Sequence, residues 1–284
     1  MLADCHIHMV LDGVYWKDAI ARHKDGVCEP FVRSTLERYQ ALGTGYLRDG
    51  GDRWGVCELA AKLAPEYGIR YVTPAFPICR AGHYGAFIGR TFRTFSDYRV
   101  LVGEVKARGG HFVKLMISGI MDFDHYGVIT DEPMQLELMA DCISLAHDEG
   151  LSVMVHANGD AAVTAALSAG VDSVEHGAYL SDETICQLAE CGCVWVPTLV
   201  TIANLVGDGR YPDTVLRPLL ECQCRAVKLA AQKGAYLAPG SDAGAYRVLH
   251  GQGMLDEYAL FDGLFGADAK RILTRGTKRI MQKF

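Results

Sequence analysis

The stretch Leu2-Ala3-Asp4-Cys5-His6-Ile7-His8-Met9-Val10 decides the fold. Apart from Asp4 and the two histidines it is apolar, the pattern of a strand buried on both faces. A strand alternates its faces, so His6 and His8 point one way and Ile7 the other. Two imidazoles one strand-repeat apart can share a metal ion. A lone His-x-His is weak evidence, and its weight comes from what ends the later strands.

Working outward, seven further short runs rich in Val, Ile, Leu and Tyr read as strands, at 44–49, 69–76, 112–118, 152–157, 173–177, 193–199 and 236–241. With residues 3–9 they make eight. Amphipathic stretches lie between them: 132–149 sets Leu136, Met139, Ile143 and Ala146 at helical spacing, and 182–191 and 214–233 read the same way. Several stretches end in Gly (Gly43, Gly68, Gly150, Gly170, Gly192, Gly234), as left-handed C-caps do. Eight strands alternating with helices over about 250 residues is the arithmetic of an α/β (β/α)8 TIM barrel. A doubly wound open sheet is the runner-up, disfavoured because no G-x-G-x-x-G follows the first strand. No Pro/Ser-rich linker, repeat or low-complexity tract divides the chain, so residues 1–284 are expected to form a single domain.

The chain of 284 residues is 50% hydrophobic, enough for a substantial core. Its 28 Lys and Arg against 34 Asp and Glu give a net charge of −6, and no basic tract stands out. Nucleic acid and anionic membrane partners are therefore not expected. No apolar run approaches the ~18 residues of a bilayer span, and the N-terminus lacks the pattern of a secretory signal. A cytoplasmic protein is the expectation. Ten cysteines are scattered mostly singly, with no Cys-x-x-Cys. A zinc site from Cys191-x-Cys193 and Cys222-x-Cys224 is the weaker reading; buried thiols in a reducing compartment are the stronger.

Barrel chemistry sits where strands end. Strand four offers Lys114 in Phe-Val-Lys-Leu-Met-Ile-Ser, and strand five offers His156 in Val-Met-Val-His-Ala-Asn-Gly. Strand six offers His176 in Ser-Val-Glu-His-Gly, and strand eight offers Asp242 in Pro-Gly-Ser-Asp-Ala-Gly. A lone strand-end His is usually just a hydrogen-bonded polar residue, and an Asp before Ala-Gly usually a turn residue. Lys114 differs: flanked by Phe112, Val113, Leu115, Met116 and Ile117, it would bury an ammonium at high cost unless paired or neutralised. Six such coincidences in this order point to a metal site built from His6, His8, Lys114, His156, His176 and Asp242.

With these motifs the chain resembles the amidohydrolase superfamily of metal-dependent hydrolases, in its binuclear form with a carboxylated lysine. The match runs from His6 beyond Asp242. It is most similar to the imidazolonepropionase-like and prolidase-like branch, through Tyr46-Leu47-Arg48-Asp49-Gly50-Gly51, residues 113–119, residues 170–177 and Val196-Pro197-Thr198-Leu199. The resemblance implies two divalent ions, zinc first, with His6, His8 and Asp242 on the more buried ion, His156 and His176 on the other, and a Lys114 carbamate bridging. Two ions ~3.5–4 Å apart need such an anion between them. Four neutral imidazoles, the carbamate, Asp242 and a bridging hydroxide leave the site at +1. The implied reaction is hydrolysis of a C–N bond in a dipeptide-like or cyclic amide, with Asp242 passing the hydroxide's proton to the leaving nitrogen.

Two departures from relatives stand out. Most carry a small β-sandwich from residues flanking the barrel, whereas only five residues precede His6 and 284 − 242 leaves 42 after Asp242. The expectation is a barrel lacking that accessory layer, whose apolar flanks would favour a homo-oligomer. Relatives commonly read His-Ala-His-Gly where this chain has His156-Ala157-Asn158-Gly159, which shifts a pocket residue.

Around the expected small-molecule substrate, three residues are candidate contacts. His83, in Cys79-Arg80-Ala81-Gly82-His83-Tyr84-Gly85, is implied by the resemblance as a donor to the substrate carbonyl or carboxylate. Tyr179 is a candidate pocket wall. Arg48 could pair with a substrate carboxylate, or with an acid inside the barrel. His250 could reach the site, whereas His23, His111, His125 and His147 carry no signal. Residues 12–37, with a Gly26-Val27-Cys28-Glu29-Pro30 break, are expected to form a lid. Lactone or phosphotriester hydrolysis uses the same metal set and stays open. A deaminase is disfavoured by Lys114, and a non-catalytic metal-binding barrel by the intact ligand set.

Overall fold

The computed structural model describes residues 2–284. Ten strands follow one another among the described residues: β1 Leu2–Ile7, β2 Thr44–Asp49, β3 Arg70–Val72, β4 Pro77–Arg80, β5 Arg90–Phe92, β6 Phe112–Met116, β7 Ser152–Ala157, β8 Ser173–His176, β9 Val194–Val196 and β10 Tyr236–Leu237. Every ladder is parallel, in two sheets ordered β1-β2-β3 and β10-β9-β8-β7-β6-β4-β5. Backbone hydrogen bonds run between the sheets at both margins. On one side Cys5 N–H donates to Pro239 O, Asp242 N–H to His6 O and His8 N–H to Ala243 O; on the other, His111 N–H donates to Thr73 O. The result is a TIM-barrel-like α/β fold.

The run 69–76, read as one strand, holds only β3, paired with β2; the unexpected β4 begins just beyond it and pairs with β6. Pro74 is the reason the strand stops early, since it has no N–H to continue a ladder. β5 was not expected at all; it adds a short edge outside β4. The expected helices at 182–191 and 214–233 appear as Asp182–Cys191 and Asp213–Gln232, and 132–149 shortens to Leu136–Asp148. Residues 12–37 break as anticipated, into helices Trp16–Ala21 and Glu29–Ala41, with Pro30 in the first turn of the second. Among the described residues no helix is long and apolar enough to cross a membrane.

Strand alternation separates two apolar layers. Val113, Leu115 and Ile117, with Val153, Val155 and Ala157, pack outward against the helices. Phe112 and Met154 turn inward with Tyr46, Val72, Val196 and Ala238, and Ile280 and Phe284 close that cluster from below. Phe284 meets Phe112 edge-on at 5.1 Å and lies 4.6 Å under the Arg48 guanidinium. Because Phe112 and Lys114 share a face, filling the lower interior with apolar rings sets Lys114 one layer above them, toward the opposite end. All ten cysteines are free, and no candidate metal cluster among the described residues includes one.

Candidate metal centre

The C-terminal ends of β1, β6, β7 and β8, and the segment after β10, bring His6, His8, Lys114, His156, His176 and Asp242 to the wall of one cavity of about 450 Å³. Ring centroids of His156 and His176 lie 4.5 Å apart, those of His6 and His176 5.1 Å, and those of His6 and His8 5.4 Å. Asp242 Oδ1 stands 3.5 Å from His6 Nε2 and 3.6 Å from His8 Nε2. His6, His8 and Asp242 each offer a ligand atom within 4.8 Å of the others.

Three of the four imidazoles are anchored from outside. His6 Nδ1 donates to Glu175 Oε2 at 2.8 Å, and His176 Nδ1 shares a 2.8 Å bond with Thr198 Oγ1. His156 Nε2 donates to Gly119 O at 3.0 Å. The bonds to the Glu175 carboxylate and the Gly119 carbonyl fix the tautomers of His6 and His156 and leave the other ring nitrogen as a lone pair, while the Thr198 hydroxyl orients His176. His8 is held by shape: a Cβ at Gly50 would collide with its ring. Among residues lining this cavity, the buried His6 Nε2 and Lys114 Nζ have no hydrogen-bond partner, and His8, whose Nε2 faces Asp242, leaves its other nitrogen Nδ1 unpartnered. Such orphans are costly in a dry interior and call for a bound group.

Burial, reinforced by neighbouring positive charge, lowers His8 and His156 to about 3 and His6 and His176 well below their ordinary value. All four rings are therefore neutral at neutral pH, as ligation requires. Burial also pulls the Lys114 amine down, against the attraction of Glu175. It pushes the Asp242 carboxyl up, against the pull of Lys114. A lowered amine supplies the neutral nucleophile that carbamate formation consumes. The donor set fits divalent metal.

The backbone departs from ideal strand geometry to build this set. Glu175 and His176 are adjacent, so a regular strand would send them to opposite faces. Glu175 faces inward, holding His6 through Oε2 and Arg48 through Oε1. His176 takes φ 68°, a left-handed conformation rare for a non-glycine residue, and this swings its ring into the cavity as well. Thr198 and Asp242 share that conformation, with φ 47° and 57°. Asp4 fastens the segment carrying Asp242 by accepting from Ser241 N–H at 2.8 Å and Ser241 Oγ at 2.6 Å.

The other sequence candidates fall elsewhere. Arg48 is fully buried, with its N–H groups donating to Cys5 O, Ser173 Oγ and Glu175 Oε1 at 2.7–2.8 Å. A guanidinium so occupied has no edge to offer a substrate, and the reading of Arg48 as a substrate contact gives way to the internal ion pair. His83 lies in a side pocket against Asp131 at 3.0 Å; its neighbour Tyr84 lines the cavity instead, 4.8 Å from the His156 ring. Tyr179 is outside the cavity lining, its hydroxyl accepting from Gly127 N–H at 2.9 Å. His250 is buried between Leu11 O and Tyr39 OH. Sequence reasoning missed Glu175, Thr198 and Asp4. Glu175 had one available signal, an acid next to His176 in an otherwise apolar strand. The expected lid contributes Val14, Tyr15 and Trp16 to the cavity rim.

Comparison with known proteins places this geometry. An ochratoxinase of Aspergillus niger is 25% identical over 278 residues, covering 85% of this chain and 57% of that protein. An uncharacterised protein of Mycobacterium tuberculosis is 33% identical over 129 residues, 43% of this chain and 34% of its own length. The chain thus spans less than two thirds of these relatives. Among solved structures, a Xaa-Pro dipeptidase with methionine bound in its active site superposes with a TM-score of 0.77 at 19% identity, covering 99% of this chain and 75% of that one. The crystal structure of A. niger ochratoxinase gives 0.78 at 20% identity, covering 98% and 71%. The family model described as "Amidohydrolase family" matches residues 3–272, and the chain belongs to that family.

Proposed function

We propose that this protein is a metal-dependent hydrolase that cleaves a C–N bond of an amide, dipeptide or cyclic amide in a small molecule. The observation that carries the proposal is the convergence of His6 Nε2 and His8 Nε2 on Asp242 in the cavity that Lys114 also lines, with His6 Nε2 and Lys114 Nζ buried and unpartnered. His6, His8, His156, His176 and Asp242 would hold two divalent ions, zinc first, with Lys114 bridging as a carbamate. When bound, the ions supply Lewis acidity at the scissile carbonyl and make water acidic enough to attack near neutral pH. Asp242 Oδ1, beside His6 and His8, takes the proton of the attacking water and hands it to the leaving nitrogen. Glu175 and Thr198 keep two imidazoles oriented, and the apolar cavity wall excludes bulk water.

Names among the structural neighbours, a Xaa-Pro dipeptidase and a bottromycin amidohydrolase, support C–N cleavage over lactone or phosphotriester hydrolysis. We further read the two parallel sheets as one closed (β/α)8 barrel forming a single domain, supported by the backbone bonds at both sheet margins. The ten unpaired thiols support a cytoplasmic setting. The test is elemental analysis of the purified chain with a panel of Xaa-Pro dipeptides, N-acyl amino acids, cyclic amides, lactones and phosphotriesters. The expected result is two metal ions per chain and amide turnover that a chelator removes. Failure to retain transition metals, or turnover confined to lactones or phosphotriesters, refutes the proposal. Native mass spectrometry should also find a carbon dioxide adduct on Lys114.

A further inference from the structure

We infer that the cavity above the metal centre takes an amide carrying a bulky aromatic or aliphatic group and a free carboxylate, and that Arg210 holds the carboxylate. This rests on the hydrolase reading above and narrows its substrate. Apart from the six proposed ligands, the cavity lining contains a single charged side chain, Arg210. The remaining wall is largely apolar and aromatic, with Trp16, Tyr84, Phe87, Met121, Phe123 and Leu205 prominent. A cavity of about 450 Å³ with such walls suits a large apolar group.

Arg210 is built as a receptor. Its guanidinium lies 4.2 Å from the Tyr246 ring centroid and 5.3 Å from that of Tyr211. Tyr211 in turn meets Phe123 at 5.2 Å, which ties this clamp to the cavity wall. The acid of the same loop, Asp208, is taken by Arg247 at 2.7 Å, and among the described residues Arg210 has no carboxylate partner. A guanidinium stacked on aromatic faces keeps its N–H edge free and loses little rotamer freedom on binding, which suits bidentate capture of a carboxylate. Arg210 is exposed at the mouth, so it can meet a substrate without first being uncovered. Arg48, a candidate for this task on sequence alone, is sealed in the barrel interior by Glu175.

The probes are the ketomethylene analogue of N-benzoyl-phenylalanine, in which CH2 replaces the amide N–H and blocks hydrolysis, and the same ketone without its carboxylate. Both are titrated calorimetrically into the metal-loaded and metal-free chain. The acid should bind about tenfold or more tighter than the neutral ketone, the value of one charge-assisted contact at a partly solvated site. In Arg210→Met that ratio should fall toward one, and in Arg210→Lys it should be intermediate. Binding of the neutral ketone shows that each variant is folded. The same ratio should appear in kcat/KM for N-benzoyl-phenylalanine over N-benzoyl-2-phenylethylamine. Equal binding of acid and ketone by the natural chain, or a preference that survives Arg210→Met, overturns the inference. An Arg210-dependent preference with no turnover of these amides or of any amide in the panel above leaves the carboxylate site standing and sinks the hydrolase reading instead.

Discussion

The two ends of the parallel strands are made of the same residue types to opposite effect. At the lower end Asp172 accepts from Lys283 Nζ at 2.6 Å, Val153 N–H at 2.8 Å and His147 Nε2 at 2.9 Å, and Phe284 plugs the interior against Phe112. At the upper end three buried nitrogens have no partner, and His176, Thr198 and Asp242 hold left-handed backbone. The charged groups around Asp172 are paired and stabilise; the nitrogens above are left open beside strained backbone, which natural sequences tolerate where a ligand completes them. Substitutions above should therefore cost activity more than stability, and those below the reverse.

Asp242→Asn is the strongest challenge to that division. Loss of the proton acceptor should cut amide turnover by about 10³-fold or more. The melting temperature of the metal-free chain should hold or rise, since the change removes a carboxylate that burial disfavours. An unchanged rate, or a collapse of the metal-free fold, would contradict the contrast between the two ends.

Glu175 sits where the two ends meet, with one oxygen on the ligand His6 and the other on the buried Arg48. Glu175→Gln should then lose on both counts. It leaves Arg48 without its countercharge, at a cost of about 3 kcal/mol in denaturant unfolding. It also loosens His6, with metal affinity falling roughly 10- to 100-fold in a zinc titration. A change in one readout alone would assign Glu175 to a single end. Gly50→Ala is a narrower probe, because its Cβ would strike the His8 ring. Zinc affinity should fall by about tenfold while stability drops by roughly 1–2 kcal/mol.

The same division explains what the sequence could tell. The proposed ligands were legible because strand ends are rigid and period two fixes their facing, as with His6 and His8 around Ile7. Glu175 beside His176 defeats that rule, since a backbone rotation at His176 turns both side chains inward. The early end of the third strand was also hidden, because Tyr71-Val72 and Ala75-Phe76 read as one apolar run although the strand stops at Val72, ahead of Pro74. The cavity wall was least legible. His83 and Tyr84 are adjacent, and only the Asp131 contact decides that the tyrosine faces the cavity while the histidine turns aside. Arg210 and Tyr246 stand 36 positions apart on different loops, and no pattern along the chain announces their stacking.

The lower end supplies the smallest expected effect and the cleanest sign. Burial works to raise the Asp172 carboxyl, but the Lys283, Val153 N–H and His147 bonds together outweigh it and hold it below its ordinary 3.8. A carboxyl depressed in the folded chain adds stability that is present above 3.8 and lost as pH falls through its folded value. Asp172→Asn should cost about 1–3 kcal/mol near neutral pH, because it removes charge-assisted bonds from a half-buried site. The gap in melting temperature between the natural chain and the variant should hold down to about pH 4 and close as pH falls below it. Zinc affinity and amide turnover near neutral pH should stay within a factor of two, since Asp172 lies at the opposite end from the proposed ligands. A gap that widens in acid would mean that the carboxyl is raised and the Lys283 contact does not hold; a loss of zinc affinity would mean that the two ends are coupled through the interior ion pair.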